Sequence, residues 1–260
     1  MIDLLGIDPL EVLLIIAVGM VAGTVNTIVG AGSLLTFPTL LFLGYPPLVA
    51  NVSNTVGLVP GSFSGAVGYR RELAGQRARA RPLVVAAGLG GVTGACLLLV
   101  LPPAAFARIV PVLILIACGL VAIQPRLSAW VLERRARSGV VHAGGGWMLV
   151  LGVFLTGIYG GYFGAAQGVI LIALLAILVD DDLQRLNGLK NLIAVVINGV
   201  AAVIFILVAP VAWVPAILLA IGSTIGGQLG AAVGRRLSPL ALRAAIITVG
   251  TLVAARLLVG

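Results

Sequence analysis

The chain has 260 residues, of which 61% are hydrophobic and 9% are charged, and its net charge is +8. A water-soluble domain of this composition would not stay in solution, so the lipid bilayer is the solvent that the chain requires. The arginines fall in short blocks between apolar runs rather than along one face, so they indicate membrane topology and no nucleic-acid partner.

Eight apolar stretches are long enough to enter a membrane. They cover residues 10–43, 47–69, 82–101, 104–124, 147–179, 187–209, 211–234 and 239–259. The N-terminus is acidic where a cleavable signal peptide would be basic, so we expect the first stretch to remain in the mature protein. Six stretches fit one crossing each, at about 20 residues per span.

The other two stretches, 10–43 and 147–179, are longer than one crossing requires. Small or polar residues interrupt each of them, at Asn26 to Ser33 in the first and at Gly160 to Gly168 in the second. Each is therefore predicted to form a helix, a break and a second helical piece, as discontinuous helices of transporters do.

A long, broken stretch opens each half of the chain, and three ordinary spans follow it. This order predicts an internal duplication with a period of about 135 residues, in which Asn54 of NVSNTVG corresponds to Asn191 of GLKNLIA. We divide the chain into a first repeat (1–124), a cytoplasmic basic linker (125–146) and a second repeat (147–260). The predicted fold class is all-α, a polytopic membrane protein with two inverted-topology repeats and about 8 to 10 membrane segments.

The positions of the arginines predict how the repeats are oriented. The connection YRRELAGQRARARP carries five Arg, whereas its counterpart at 209–213 carries no Lys or Arg. The reverse holds one connection later, where 101–107 has no cation and its counterpart carries Arg235 and Arg236. Opposite charge at equivalent connections predicts inverted repeats in a bacterial inner membrane, with both termini outside.

Glycines spaced four residues apart align on one helix face and let helix backbones approach closely in lipid. They occur at Gly57, Gly61 and Gly65, at Gly90 and Gly94, at Gly160, Gly164 and Gly168, and at Gly226, Gly230 and Gly234. Most are predicted to be packing residues, and so are Cys96 and Cys118, which lie in apolar stretches.

The breaks are the places where chemistry is expected. A helix broken inside a membrane leaves unpaired backbone groups, which protein, water or substrate must satisfy. The predicted substrate-binding residues lie at the breaks and at the start of the span that follows each break, and inversion symmetry would bring them together. They are Asn26, Thr27, Gly30, Gly32, Ser33, Asn51, Ser53, Asn54 and Thr55 in the first repeat, and Gly164, Gln167, Gly168, Asn187, Lys190 and Asn191 in the second.

The residue types at these positions favour an anion over a cation. No Asp or Glu is expected within a span, His142 falls in the basic linker, and no metal or hydrolase motif occurs, so we predict no cofactor and no catalytic residues. Backbone N–H groups, amides and the chain's only lysine are donors for an anion. Two alternatives stay open, since Lys190 could instead snorkel to the interface and the amides could serve only to join helices.

Four segments resemble the TauE/SafE family of membrane permeases, a resemblance that covers nearly the whole chain. They are NTIVGAGSLLTFPTLL, ANVSNTVGLVPGSFSGAVGYRREL, GGYFGAAQGVILIALL and LQRLNGLKNLIAVVING. The second break differs in lacking the Pro that often follows the family's glycine-rich run. The resemblance implies export of sulfite or an organosulfonate.

The function predicted from the sequence is transport of a small anion, such as sulfite, a sulfonate or a related sulfur oxyanion, by alternating access. One alternative is a membrane-embedded enzyme or assembly partner acting on a sulfur compound or a lipid, and another is a scaffold that transports nothing. The expected partners are the small anionic substrate and the lipid bilayer. The sequence leaves the oligomeric state open, a homo-oligomer included.

Overall fold

The computed structural model describes residues 8–138, 146–233 and 239–259, and within these ranges the chain forms helices and no strands. The helices are, in chain order, α1 (Pro9–Ile28), α2 (Ser33–Phe42), α3 (Pro47–Gly68), α4 (Arg77–Val100), α5 (Pro103–Ser138), α6 (Gly146–Tyr162), α7 (Gln167–Leu178), α8 (Leu183–Val208), α9 (Trp213–Val233) and α10 (Pro239–Val259). The protein is therefore all-α.

Five of the described helices are long and apolar enough to cross a membrane: α1, α4, α5 as far as Arg126, α8, and α9 as far as Ala232. Their outer faces carry exposed apolar side chains such as Val100 (81% exposed) and Leu207 (74%). Such a surface is unfavourable in water but matches hydrocarbon, so the architecture is that of a polytopic membrane protein.

The third helix carries several buried polar side chains. Asn51, Ser53 and Asn54 are each at most 1% exposed. Buried polar groups must find hydrogen-bond partners inside the protein, so α3 takes a central position, packed on α8 and α9.

Both predicted helix breaks are present. Residues 29–32 separate α1 from α2, and residues 163–166 separate α6 from α7. The second helical pieces contain 10 and 12 residues, and at 1.5 Å per residue they are about 15 and 18 Å long, roughly half of a hydrocarbon core.

Each second piece folds back along the helix before it. Gly32 lies against the carbonyl of Ala22, which precedes the end of α1 by almost two turns. Similarly, Gly152 of α6 lies against the side chain of Leu174 of α7. The breaks are therefore the tips of two helical hairpins.

Helix contacts join the first five helices to the last five. α1 packs on α9, α4 on α6, α3 on α8 and α9, α8 on α4, and α5 on α10. Suppose that each of the first five helices is exchanged with the helix five places later, α1 with α6 and so on to α5 with α10. The contact α1·α9 then becomes α6·α4, and α3·α9 becomes α8·α4. The same exchange leaves α3·α8 and α5·α10 unchanged. These contacts therefore stay the same when the first five helices and the last five trade places.

Three of the four glycine repeats lie where these helices cross, as the spacing predicts, with Gly234 falling outside the described residues. The repeat at Gly160, Gly164 and Gly168 lies at the second break instead. Gly226 of α9 lies on the carbonyl of Met20 in α1, and Gly94 of α4 lies on the carbonyl of Ile158 in α6. A Cβ at either glycine would overlap the neighbouring backbone, so close packing here depends on small residues.

The structure differs from the sequence predictions at two places, the start of α1 and the end of α5. Glu11 lies in the first turn of α1, so the prediction of spans free of acidic residues is wrong at that helix end. Part of the predicted basic linker, 125–138, continues α5 as a helix. His142, Arg235 and Arg236 fall outside the described residues.

An ion-pair cluster joins the start of α4 to the turn before α8. Asp181 accepts from Arg79 Nη1 and from Arg185 Nε, each at 2.8 Å. Burial by itself raises the pKa of Asp181, but hydrogen bonds from Arg79, the Asp182 amide and Arg185 together hold that pKa below its ordinary value of 3.8.

This lowered pKa predicts a pH dependence of stability. Because Asp181 binds its proton more weakly in the folded than in the unfolded state, the ion pairs stabilise the fold above about pH 4 and are lost as the pH falls through the folded-state pKa. We expect Asp181→Asn to lower stability at pH 7 by about 0.5 to 1 kcal/mol. Thermal unfolding of both proteins from pH 7 to pH 3 should show this difference shrinking, and a constant difference would contradict the assignment.

Candidate substrate site at the two helix breaks

The two breaks touch each other. The amide of Gly168, at the start of α7, donates to the carbonyl of Gly30 in the first break at 3.1 Å. A Cβ added to Gly168 would lie 2.5 Å from the Cα of Gly30, and Gly30 has a left-handed backbone with φ of +85°. Both positions therefore require glycine.

Three side chains of α8 converge on the last turn of α1. Asn187 Nδ2, Lys190 Nζ and Asn191 Nδ2 donate to the carbonyl of Thr27 at 3.4, 3.1 and 3.3 Å. Lys190 also lies 3.4 Å from the carbonyl of Asn26. A helix C-terminus carries partial negative charge and unpaired carbonyls, and these donors satisfy it.

Lys190 is enclosed by protein. It is 1% exposed, and its ammonium faces the α1 carbonyls, so the structure contradicts the snorkelling alternative. No carboxylate among the described residues pairs with it. A buried charge without a counter-ion is costly, which makes this ammonium suited to meeting an anion that enters the protein.

The second break is held in a related way by α3. Asn51 Nδ2 donates to the carbonyl of Tyr162, the last residue of α6, at 3.1 Å. Gln167, the first residue of α7, donates to Asn198 Oδ1 at 2.8 Å, while its own Oε1 has no partner among the described residues. Within the described ranges, the second break thus has an unpaired acceptor, Gln167 Oε1, next to the Gly168 contact with the first break.

The second helical pieces both begin at this junction. Neither α2 nor α7 has a side chain capping its first turn. The N-terminus of a helix carries about half a positive charge. The first-turn amides of α2 and α7 donate to carbonyls of the breaks, such as Leu34 to Ala31 and Val169 to Ala166. The positive dipole ends of these two helices and the ammonium of Lys190 favour a small anion at the junction.

The structure brings most of the predicted site residues to the junction but not all. Ser53 accepts from the amide of Ala212 before α9, and Thr55 donates to Asn51 of its own helix, so both hydroxyls serve the scaffold. Gly32 and Gly164 shape the hairpin tips. Ser33, at the first position of α2, is half-buried.

Asn54 and Asn191, which the sequence pairs as equivalent, make different contacts. Asn54 Oδ1 accepts from Thr36 of α2, in its own half of the chain, whereas Asn191 reaches α1 across the molecule. The residue that reaches across in the other direction is Asn51. Asn54 and Asn191 thus both make hydrogen bonds between helices, as expected if the amides serve to join helices. Their role in substrate binding stays a prediction.

Sequence reasoning missed three polar residues at the junction. Asn198 pairs with Gln167, Thr36 with Asn54, and Ser62 with Asn26 at 3.2 Å. Asn198 could have been found, because it lies seven residues after Asn191 and so on the same face of α8.

Comparisons with known proteins decide the class of this protein. The family model for the sulfite exporter TauE/SafE matches residues 15–257. The chain belongs to the TauE/SafE family. No solved structure matches it.

Curated relatives of this TauE/SafE protein are named as transporters. It is 29% identical to a "Probable membrane transporter protein" of Haemophilus influenzae, over 87% of this chain and 86% of the relative. It is 25% identical to "Probable membrane transporter protein YfcA" of Escherichia coli, over 97% and 91%. It is 24% identical to "Probable membrane transporter protein ORF9" of a Sinorhizobium species, over 92% and 88%.

Family membership decides between a transporter and a membrane-embedded enzyme. The resemblance noted in the four sequence segments is confirmed over most of the chain. The protein is a membrane transporter and not an enzyme, so the alternative of a reaction cleft is set aside.

Proposed function

We propose that this TauE/SafE protein carries a small oxyanion, such as sulfite, a sulfonate or a related sulfur oxyanion, through the junction of the two helix breaks. The observation that carries the proposal is Lys190, a fully buried ammonium held only by carbonyls in the described part of the chain. An oxyanion beside it would supply the missing negative charge and accept a hydrogen bond from Lys190 Nζ, and the positive dipole ends of α2 and α7 would add to the attraction. The family description supports a sulfur oxyanion.

We further propose that residues 1–124 and 147–260 are inverted repeats joined by the basic linker. Each contains five helices, and the chain reverses its direction from one helix to the next. After five helices, an odd number, the second repeat begins on the side of the membrane opposite to the start of the first. The contacts that stay the same when the two sets of five helices trade places support this interpretation. With the arginine-rich connection in the cytoplasm of a bacterium, both termini lie outside the inner membrane.

Alternating access then consists of movements of one repeat against the other around the junction. The direction proposed is outward. With the cell interior negative, an outgoing monovalent anion gains about 2.3 kcal/mol per 100 mV, which sustains a gradient of roughly 50-fold without a coupling ion.

A flux assay tests this proposal. Proteoliposomes containing the purified protein should release labelled sulfite faster than empty vesicles, and an inside-negative potential should accelerate the release. Asn54→Ala and Asn191→Ala should slow it, by about 5- to 10-fold each, because each removes a polar group at the junction.

The matched control is Thr93→Ala, which removes an exposed hydroxyl that hydrogen-bonds only within α4. It should leave the flux unchanged. Release of sulfite and of a sulfonate at the rate of empty vesicles would refute the substrate assignment, and normal flux in both asparagine variants would remove the junction from the pathway.

A further inference from the structure

A second cationic site lies away from the helix breaks, on the side of the arginine-rich connection. A cavity of ≈ 510 Å³ opens between the starts of α4, α6 and α8, and Arg79, Asp181 and Arg185 line it. Asp181 bridges the two guanidinium groups, one from each half of the chain. The side chains of Arg79, Asp181 and Arg185 are 21%, 18% and 36% exposed, so the cluster is reachable from the cavity.

The same cluster fastens the connection between α3 and α4, residues 69–76, onto α8. Gln76 Nε2 donates to the carbonyl of Arg185 at 3.0 Å, and Arg185 Nη1 donates to the carbonyl of Ala74 at 3.3 Å. We call residues 69–76 the lid.

The lid packs on the first turns of α8, the helix that carries the buried lysine. A Cβ at Gly188 would lie 3.5 Å from the Cβ of Tyr69 and 3.6 Å from the Leu73 side chain. Gly188 is next to Asn187 and two residues before Lys190 in α8. Gly65, four residues before the lid in α3, packs against Thr27, whose carbonyl accepts from Lys190. The lid therefore borders the helix ends that hold the ammonium.

We propose that Arg79 and Arg185 form a docking site for the transported oxyanion, and that Asp181 occupies this site and holds the lid closed until an oxyanion replaces it. This inference rests on the proposed function, because it assigns the loading step of the same anion. It adds a second binding site and a gate on the arginine-rich side.

The chemistry of the groups supports the exchange. A carboxylate and a sulfur oxyanion both offer paired oxygens to a guanidinium fork, so they compete for the same N–H groups. When the anion binds, Asp181 loses its ion pairs with Arg79 and Arg185, and the lid loses the ion pairs beside it. An internal competitor keeps the gate shut while no substrate is present.

The first test measures binding of sodium sulfite to the full-length protein in detergent, by microcalorimetry at constant ionic strength. We expect Asp181→Asn to tighten the binding by about fivefold, because the internal competitor is removed while the shape is kept. Arg79→Gln should weaken the binding by a similar factor. Unchanged or weaker binding in Asp181→Asn, with wild-type binding in Arg79→Gln, would overturn the docking site.

The second test locks the lid. In a variant with Cys96→Ala and Cys118→Ala, Tyr69→Cys together with Gly188→Cys places two Cβ atoms 3.5 Å apart, within disulfide range. Oxidation should reduce the flux of labelled sulfite by at least tenfold, and dithiothreitol should restore it. The single-cysteine variants treated with the same oxidant are the controls, and undiminished flux through the cross-linked protein would overturn the gate.

The two tests separate this inference from the proposed function. If wild-type vesicles move no sulfite but Asp181→Asn still binds it more tightly, the transported substrate is wrong and the docking site stands. If sulfite flux is normal and neither binding nor cross-linking responds, the docking site and gate are wrong and the proposed function stands.

Discussion

Replacing Lys190 with Met is expected to lower sulfite flux by about 10- to 100-fold, the effect of losing one charge-assisted hydrogen bond to the substrate. Met is similar in length and apolar, so it fills the enclosed volume without leaving a cavity. The carbonyl of Thr27 keeps two donors, Asn187 and Asn191, and the end of α1 should therefore stay in place.

Thermal unfolding distinguishes this role from a structural one. Removing a buried ammonium removes its desolvation cost, so Lys190→Met should unfold at the same temperature as the wild type or higher. The matched control is Gln124→Met, a buried polar residue of α5 whose Oε1 has no partner in the described part of the chain. Wild-type flux combined with a lower unfolding temperature would show that Lys190 serves only to hold α1.

Introducing a methyl group at the contact between the breaks should be strongly damaging. Gly30→Ala and Gly168→Ala each place a Cβ against the backbone of the other break. Overpacking of this kind costs about 1 to 3 kcal/mol, and Gly30→Ala adds about 1 to 2 kcal/mol of left-handed backbone strain. We expect both variants to lose flux and Gly30→Ala to lose more stability.

Gly199→Ala is the control for these two variants, because Gly199 lies within α8 with no atom near its missing Cβ. It should keep full flux and gain up to about 1 kcal/mol from helix propensity. Thermal unfolding and proteoliposome flux of the three variants provide the comparison. If Gly30→Ala and Gly168→Ala matched Gly199→Ala in both measurements, the breaks would not be in contact in the functional protein.

The breaks themselves could be predicted because their signal is local. An apolar run longer than one crossing, with Gly, Asn and Ser at its middle, cannot continue as one helix in a bilayer. The polar start of α8 was likewise visible, since Asn187, Lys190 and Asn191 lie three and four residues apart on one helix face.

The partners of these polar residues could not be predicted, because hydrogen bonds between helices depend on rotation and depth. Sequence alignment of the repeats pairs Asn54 with Asn191, yet Asn51 is the residue that reaches the opposite helix end. A shift of three residues along α3 is one turn, which sequence spacing alone does not resolve. For the same reason Thr36 and Ser62 were overlooked.

The sequence by itself determined the membrane class, the boundaries of most helices to within a few residues, the two breaks and the family, because each depends on composition or on neighbouring residues. The end of α5 was the exception, since that helix runs on to Ser138 through the predicted linker. Only the tertiary structure decided that the breaks touch at Gly30 and Gly168, that Lys190 is buried against α1, and that Asp181 joins Arg79 to Arg185. These contacts link residues more than 100 positions apart or bury a side chain among several helices. Packing of the whole bundle sets them, and no local pattern encodes them.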